Sequence, residues 1–201
     1  MTPTDLPFEE IWLHDFEFVP QPGERPDVVC LAARELRSGR TLRLWRDELG
    51  EQPPYRTDDG VLFVNFVANA ECACHLALGW PLPKNVLDLS PAFRNLTNGR
   101  YTPEGKGLLG ALRYFGLNTI SSTKHKEAMQ KRVMAGWPFT AEEREQILTY
   151  CVSDIDALAL LLPSILKEID LGVALHHGEL LSESAEAAPT PNPSSPRRIR
   201  H

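Results

Sequence analysis

Apolar positions along the chain fall into two kinds of run. The first kind is short and dense: residues 11–19 (IWLHDFEFV), 28–35 (VVCLAARE), 41–45, 61–68 (VLFVNFVA) and 86–89 (VLDL). Runs of this length, rich in β-branched and aromatic residues, predict buried strands. Ser38-Gly39 between the second and third predicts a turn, and so a hairpin. The second kind repeats at helical spacing. Residues 70–78 stop at Gly79 with Pro81 beyond, as a helix C-terminus does. Residues 107–115 (GLLGALRYF) end at Gly116, and 123–135 read as a charged amphipathic helix ending at Gly136. Thr140 and Glu143 form a capping box. It opens a helix in which Ile147, Tyr150, Cys151, Asp154, Leu158 and Leu161 run along neighbouring faces. Pro163 is expected to kink or restart this helix, with 165–171 continuing briefly. Strands mixed with helices in this order predict an α/β fold.

Beyond Gly172 the composition shifts. The segment SESAEAAPTPNPSSPRRIRH is rich in Ser, Ala and Pro. The expectation is one domain over 1–172 and a disordered tail over 173–201. The tail's basic end (Arg197, Arg198, Arg200, His201) suits a solubilising tail, or an auxiliary contact with nucleic acid or a partner. At 201 residues, with 42% hydrophobic and 24% charged, the chain is ordinary for a soluble globular protein. No run of eighteen apolar residues occurs, so no membrane partner is expected. The start, MTPTDLPFEE, lacks a basic-then-apolar stretch, so no secretory signal is expected. Cys30, Cys72, Cys74 and Cys151 form no CxxC pair, which suits reduced thiols and a cytoplasmic location. Cys72, Cys74 and His75 are close enough in sequence to suggest zinc. A second ligand pair is missing, so they read as side chains on a packed helix. The net charge of −6 argues mildly against a protein that grips long duplexes.

The candidate chemistry starts at Asp15 and Glu17. Strand residues alternate faces, so these two point to the same side. Two carboxylates together on a buried strand repel each other and lose solvation unless a cation sits between them. Hard oxygen ligands suit magnesium or manganese. Tyr150 and Asp154, four apart on a helix, share a face and would bring a phenol and a further carboxylate to the same place.

An Asp15-x-Glu17 strand, a middle acidic motif and a late Tyr150-x-x-x-Asp154 resemble the DEDD-type 3′-5′ exonucleases of the RNase H-like fold. The tyrosine matches the subgroup that carries tyrosine rather than histidine there. TYCVSDIDALALLLP is similar to the third motif of proofreading domains in family A DNA polymerases, especially phage-like ones. The resemblance spans roughly residues 11–171 and implies a mixed central sheet flanked by helices. It implies hydrolysis with two Mg2+ or Mn2+ ions, releasing nucleoside monophosphates from single-stranded or frayed DNA 3′ ends, with RNA as the alternative substrate. No polymerase portion follows, so a free-standing exonuclease is expected, with a separate polymerase or replication protein as a possible partner. Glu71, in FVANAECACHLALGW, fills the middle motif where the family more often has aspartate; Asp88 is the second candidate. In this scheme Asp15 touches both ions, Glu17 and Asp154 complete one site, Glu71 holds the second ion and Tyr150 orients the attacking water.

Other residues carry weaker signals. Lys106, Lys124, Lys126, Lys131 and Arg132 could guide phosphates, and a solvated helix face explains them equally well. Phe16 is expected in the core, while Phe18 or Tyr101 could stack on a terminal base. His14, His75 and His125 read as ordinary, and Asp156 as surface. Two non-catalytic alternatives stand beside the enzyme: a nucleic-acid-binding module of the same fold, and a metal-free structural partner of a polymerase.

Overall fold

The computed structural model describes residues 2–118 and 123–187. Five strands form one sheet: β1 (Glu10–Val19), β2 (Asp27–Glu35), β3 (Thr41–Trp45), β4 (Val61–Asn65) and β5 (Asn85–Asp88), in the order β3-β2-β1-β4-β5. The expected hairpin joins β2 to β3, and β1 pairs antiparallel with β2. On its other side β1 pairs parallel with β4, and β4 parallel with β5, so the sheet is mixed. The described helices are α1 (Ala68–Leu78), α2 (Leu89–Leu96), α3 (Leu108–Tyr114), α4 (Thr123–Met134), α5 (Ala141–Ile165) and α6 (Leu171–Ala187).

Both faces of the sheet are covered, which is why its central strands are almost continuously apolar. Ile11, Leu13, Val29, Leu62 and Val64 pack with Ile147, Cys151, Leu158 and Leu161 of α5. Trp12, Phe16, Leu31 and Phe63 point the other way, onto Tyr55, Cys74 and Trp80. The alternation that seats Ile11 and Leu13 under α5 carries Asp15 and Glu17 to that same face. A β-bulge falls between Glu17 and Phe18, where the register with β2 shifts. α5 is long and apolar enough, by length and composition, to cross a membrane. Its apolar face is buried in the core and Asp154 and Asp156 interrupt it, the pattern of a core helix.

Several boundaries differ from the sequence reading. β4 ends at Asn65 rather than at residue 68, because Asp88 Oδ2 accepts the Ala68 N–H at 3.0 Å and starts α1 there. α2 was not expected: the other Asp88 oxygen accepts from Ser90 N at 3.0 Å, capping a helix that the short VLDLSP run conceals. α5 runs on through Pro163 to Ile165 instead of restarting. Pro163 lies in the last turn, where its missing N–H costs one late bond. Residues 173–187, expected as the first part of a disordered tail, are helical in α6. A Cβ on Gly178 would stand 1.9 Å from the Val86 carbonyl oxygen, so the helix reaches β5 through a residue with no side chain. The remainder of the expected tail, with Arg197, Arg198, Arg200 and His201, lies outside the described residues.

Candidate active site

Asp15, Glu17, Glu71, Tyr150 and Asp154 all line one cleft of about 650 Å³. Its location follows from the way β1 loses a neighbour. β4 pairs with β1 only as far as Leu13 opposite Val64, then turns into α1. The bare edge of β1 is met by side chains instead. Asn65 Nδ2 donates to the His14 carbonyl at 2.9 Å, and Glu71 Oε2 accepts the Phe16 N–H at 3.0 Å. That bond fixes buried Glu71 beside the strand that carries Asp15 and Glu17.

α5 supplies the opposite wall. Tyr150 and Asp154 lie one turn apart on it, and Cys151 between them donates its thiol to the Asp15 carbonyl at 3.2 Å, with Asp15 Oδ2 at 3.4 Å. Lys126 on α4 reaches across and places its Nζ 2.8 Å from both Asp154 oxygens. The same ammonium stands 5.7 Å from the centre of the Tyr150 ring.

The electrostatics are those of crowded acids. Burial, and then the charge of Asp154, push the Asp15 carboxyl up from 3.8 to about 8, against the pull of Lys126. Burial and Asp15 raise Glu17 well above the carboxylate range. Glu71 is raised by burial and by Asp15 and Glu17, with the Phe16 N–H opposing. Burial and the Asp154 charge raise the Tyr150 phenol, so it remains a neutral donor at any working pH. The Cys151 thiol is likewise raised by burial and stays protonated. Ligand atoms of Asp15, Glu17 and Cys151 lie within 4.8 Å of one another. Hard carboxylate oxygens held this closely, and short of positive charge, fit a divalent cation of the magnesium or manganese kind.

The other candidate residues fall elsewhere. Asp88 is not among the cleft residues: it lines a separate groove of about 170 Å³ beside α6, and its carboxyl, pushed up to about 6 by burial, caps α1 and α2. Of the two middle-motif candidates, Glu71 is the one beside Asp15. His75 uses both ring nitrogens, Nδ1 with the Pro81 carbonyl at 2.8 Å and Nε2 with the Tyr55 hydroxyl at 3.0 Å. Neither is free for zinc, and burial lifts the Cys72 thiol to about 12. Phe16 is buried as expected, Phe18 lines the cleft, and Tyr101 is 86% exposed away from it. Lys106 and Lys126 line the cleft, whereas Arg132 is paired with Glu143 and Asp156 with Arg34. The side chains of Lys124 and His125 lie outside the described residues.

Sequence reasoning missed two contributors. Arg94 lines the cleft from α2, the helix that was not expected. Cys151 packs behind Asp15, and its place between Tyr150 and Asp154 on one helix was the available signal.

The sheet order and the flanking helices are those of the RNase H-like fold. No protein-family model matches the sequence, and no curated protein matches it. Among solved structures it is similar to RNase D of Trypanosoma brucei, with 15% identity and a TM-score of 0.67 over 94% of this chain and 70% of that one. The complex of that enzyme with RNA U12 matches with 16% identity and a TM-score of 0.66, over 92% of this chain and 67% of that one. RNase D of Escherichia coli, an exoribonuclease involved in structured RNA processing, matches with 15% identity and a TM-score of 0.57, over 89% of this chain but 46% of that one. At these identities the likeness is one of fold. These neighbours are RNase D enzymes, not the polymerase proofreading domains that the third motif resembled.

Proposed function

We propose that the chain is a metal-dependent 3′-5′ exonuclease that removes nucleoside monophosphates from the 3′ ends of single-stranded nucleic acid, RNA before DNA. The observation that carries this reading is the convergence of Asp15, Glu17, Glu71, Asp154 and Tyr150 on one cleft from three separate elements. RNA is put first because similar folds belong to RNase D enzymes, one of them in complex with RNA. DNA is the second substrate, on the strength of the resemblance in TYCVSDIDALALLLP.

Asp15, Glu17 and Asp154 would hold one ion and Glu71 would contribute to a second. Bound there, the ions supply an activated water and stabilise the leaving 3′ oxygen. The neutral Tyr150 hydroxyl orients the attacking water. The β1 edge fixes Glu71, and the Cys151 thiol holds the Asp15 backbone against α5. Arg94 and Lys106 face the cleft without a described ion-pair partner, free to meet the phosphates of an incoming strand.

The test is product analysis with Mn2+ or Mg2+ on matched RNA and DNA oligonucleotides. Nucleoside 5′-monophosphates, released faster from RNA and abolished by chelator, are expected. Internal cleavage, or release from blocked 3′ ends, would rule the reading out.

A further inference from the structure

Among the described residues, Asp154 is the one cleft carboxylate with an ion-pair partner. Lys126 holds it with Nζ 2.8 Å from both oxygens, and the two side chains are only 15% and 14% exposed. An ammonium 2.8 Å from both oxygens takes up the lone pairs with which Asp154 would ligate a metal cation. Burial keeps this pair from the solvent screening that makes surface ion pairs weak.

Resting on the metal-site reading above, we propose that Lys126 is a positioning residue, the resident cation of the metal-free cleft. It holds Asp154 in place and competes with the divalent ion for that carboxylate. Lysine suits an exchangeable role, being a compact charge on a flexible four-carbon stem. The helix that bears it is held at its far end, where Arg132 bonds Glu143 and the carbonyls of Gly136 and Pro138. Near its start, the bond to Asp154 ties α4 to α5. Lys126, Gln130, Val133 and Met134 together form one wall of the cleft. Metal loading therefore frees the start of α4 from α5 and changes that wall.

The experiment is calorimetric titration of Mn2+ into the full chain and into Lys126→Met, Lys126→Gln, Lys126→Arg and Lys106→Met, with melting temperatures in chelator alongside. If Lys126 leaves Asp154 free about one-tenth of the time, its neutral variants bind Mn2+ about tenfold tighter. They should also melt lower than wild type in chelator and gain more from added metal. Lys126→Arg keeps the wild-type affinity, and Lys106→Met, which removes a cleft charge that does not touch Asp154, changes it by less than about twofold. Mn2+ affinity that is unchanged or weaker in both Lys126→Met and Lys126→Gln overturns the proposal. An equal gain in Lys106→Met overturns it too. Wild type that binds no Mn2+ overturns both this proposal and the metal-site reading, whereas the other failures leave that reading standing.

Discussion

Asp15 is pulled by four influences at once: burial, the nearby charge of Asp154, the ammonium of Lys126 and the hydrogen bond from the Cys151 thiol. Because its carboxyl rises from 3.8 to about 8, the folded protein keeps a proton that the unfolded chain has lost between those values. Metal-free stability therefore falls as pH rises from about 4 towards 8. Buried histidines act at the other end. Burial lowers His75 from 6.5 to about 4, and His14, enclosed by Phe16, Tyr55 and Phe63, is lowered well below its ordinary value. Their contribution is complete above pH 6.5 and is lost as pH falls towards 4. Glu17 and Glu71, raised in the same way as Asp15, add to its loss, and the histidines offset part of it only up to about pH 6.5, so melting in chelator should fall most steeply between about pH 6.5 and 8. Added Mg2+ or Asp15→Asn should reduce that fall; a fall that neither changes would contradict the electrostatics described. For turnover, Asp15→Asn should cost roughly a thousandfold or more, about 4 kcal/mol of barrier. Tyr150→Phe, which removes only an orienting hydroxyl, should cost about 10–100-fold. Single-turnover kinetics would check both, and equal losses would remove the distinction between ligand and orienting group.

At the scale of elements, what was legible depended on whether the cause was local. The αL glycine that ends α1, Gly79 with φ 73°, and the capping box of Thr140 and Glu143 are written in neighbouring residues and were read correctly. α2 and the start of α1 depend on Asp88, twenty residues from Ala68, and no window of sequence shows that one carboxylate caps two helices. α6 was missed because the Ser/Pro-rich composition further on was extended back to Gly172. Its packing places Ala174 in the core and includes one close approach, that of Gly178 to the Val86 carbonyl. Gly178→Ala should accordingly lower stability by about 1–3 kcal/mol, as overpacking does. Denaturant titration would measure this, and an unchanged midpoint would show that α6 is not held against β5.

For the whole molecule, the fold class was legible in the order of strands and helices, and strand alternation and helical spacing explain why Asp15 with Glu17, and Tyr150 with Asp154, reach one cleft; Glu71 was placed there by the motif resemblance. Depth was not legible: that β4 stops at Asn65 and bares the β1 edge for Glu71 is a property of the sheet, not of any segment. Nor was the choice of sugar, since the third motif resembled polymerase proofreading domains while the similar folds are RNase D enzymes. On the proposed function, a chain of net charge −6 would hold a nucleic-acid strand through few cations, Arg94 and Lys106 of the cleft among them. The most direct test of the central claim is digestion of a 5′-labelled single-stranded RNA with Mn2+, comparing wild type with Asp154→Ala. A ladder shortening one nucleotide at a time from the 3′ end, absent in the variant and in chelator, is expected. An intact strand with well-folded, Mn2+-loaded wild type, or a ladder that persists in Asp154→Ala, would contradict it.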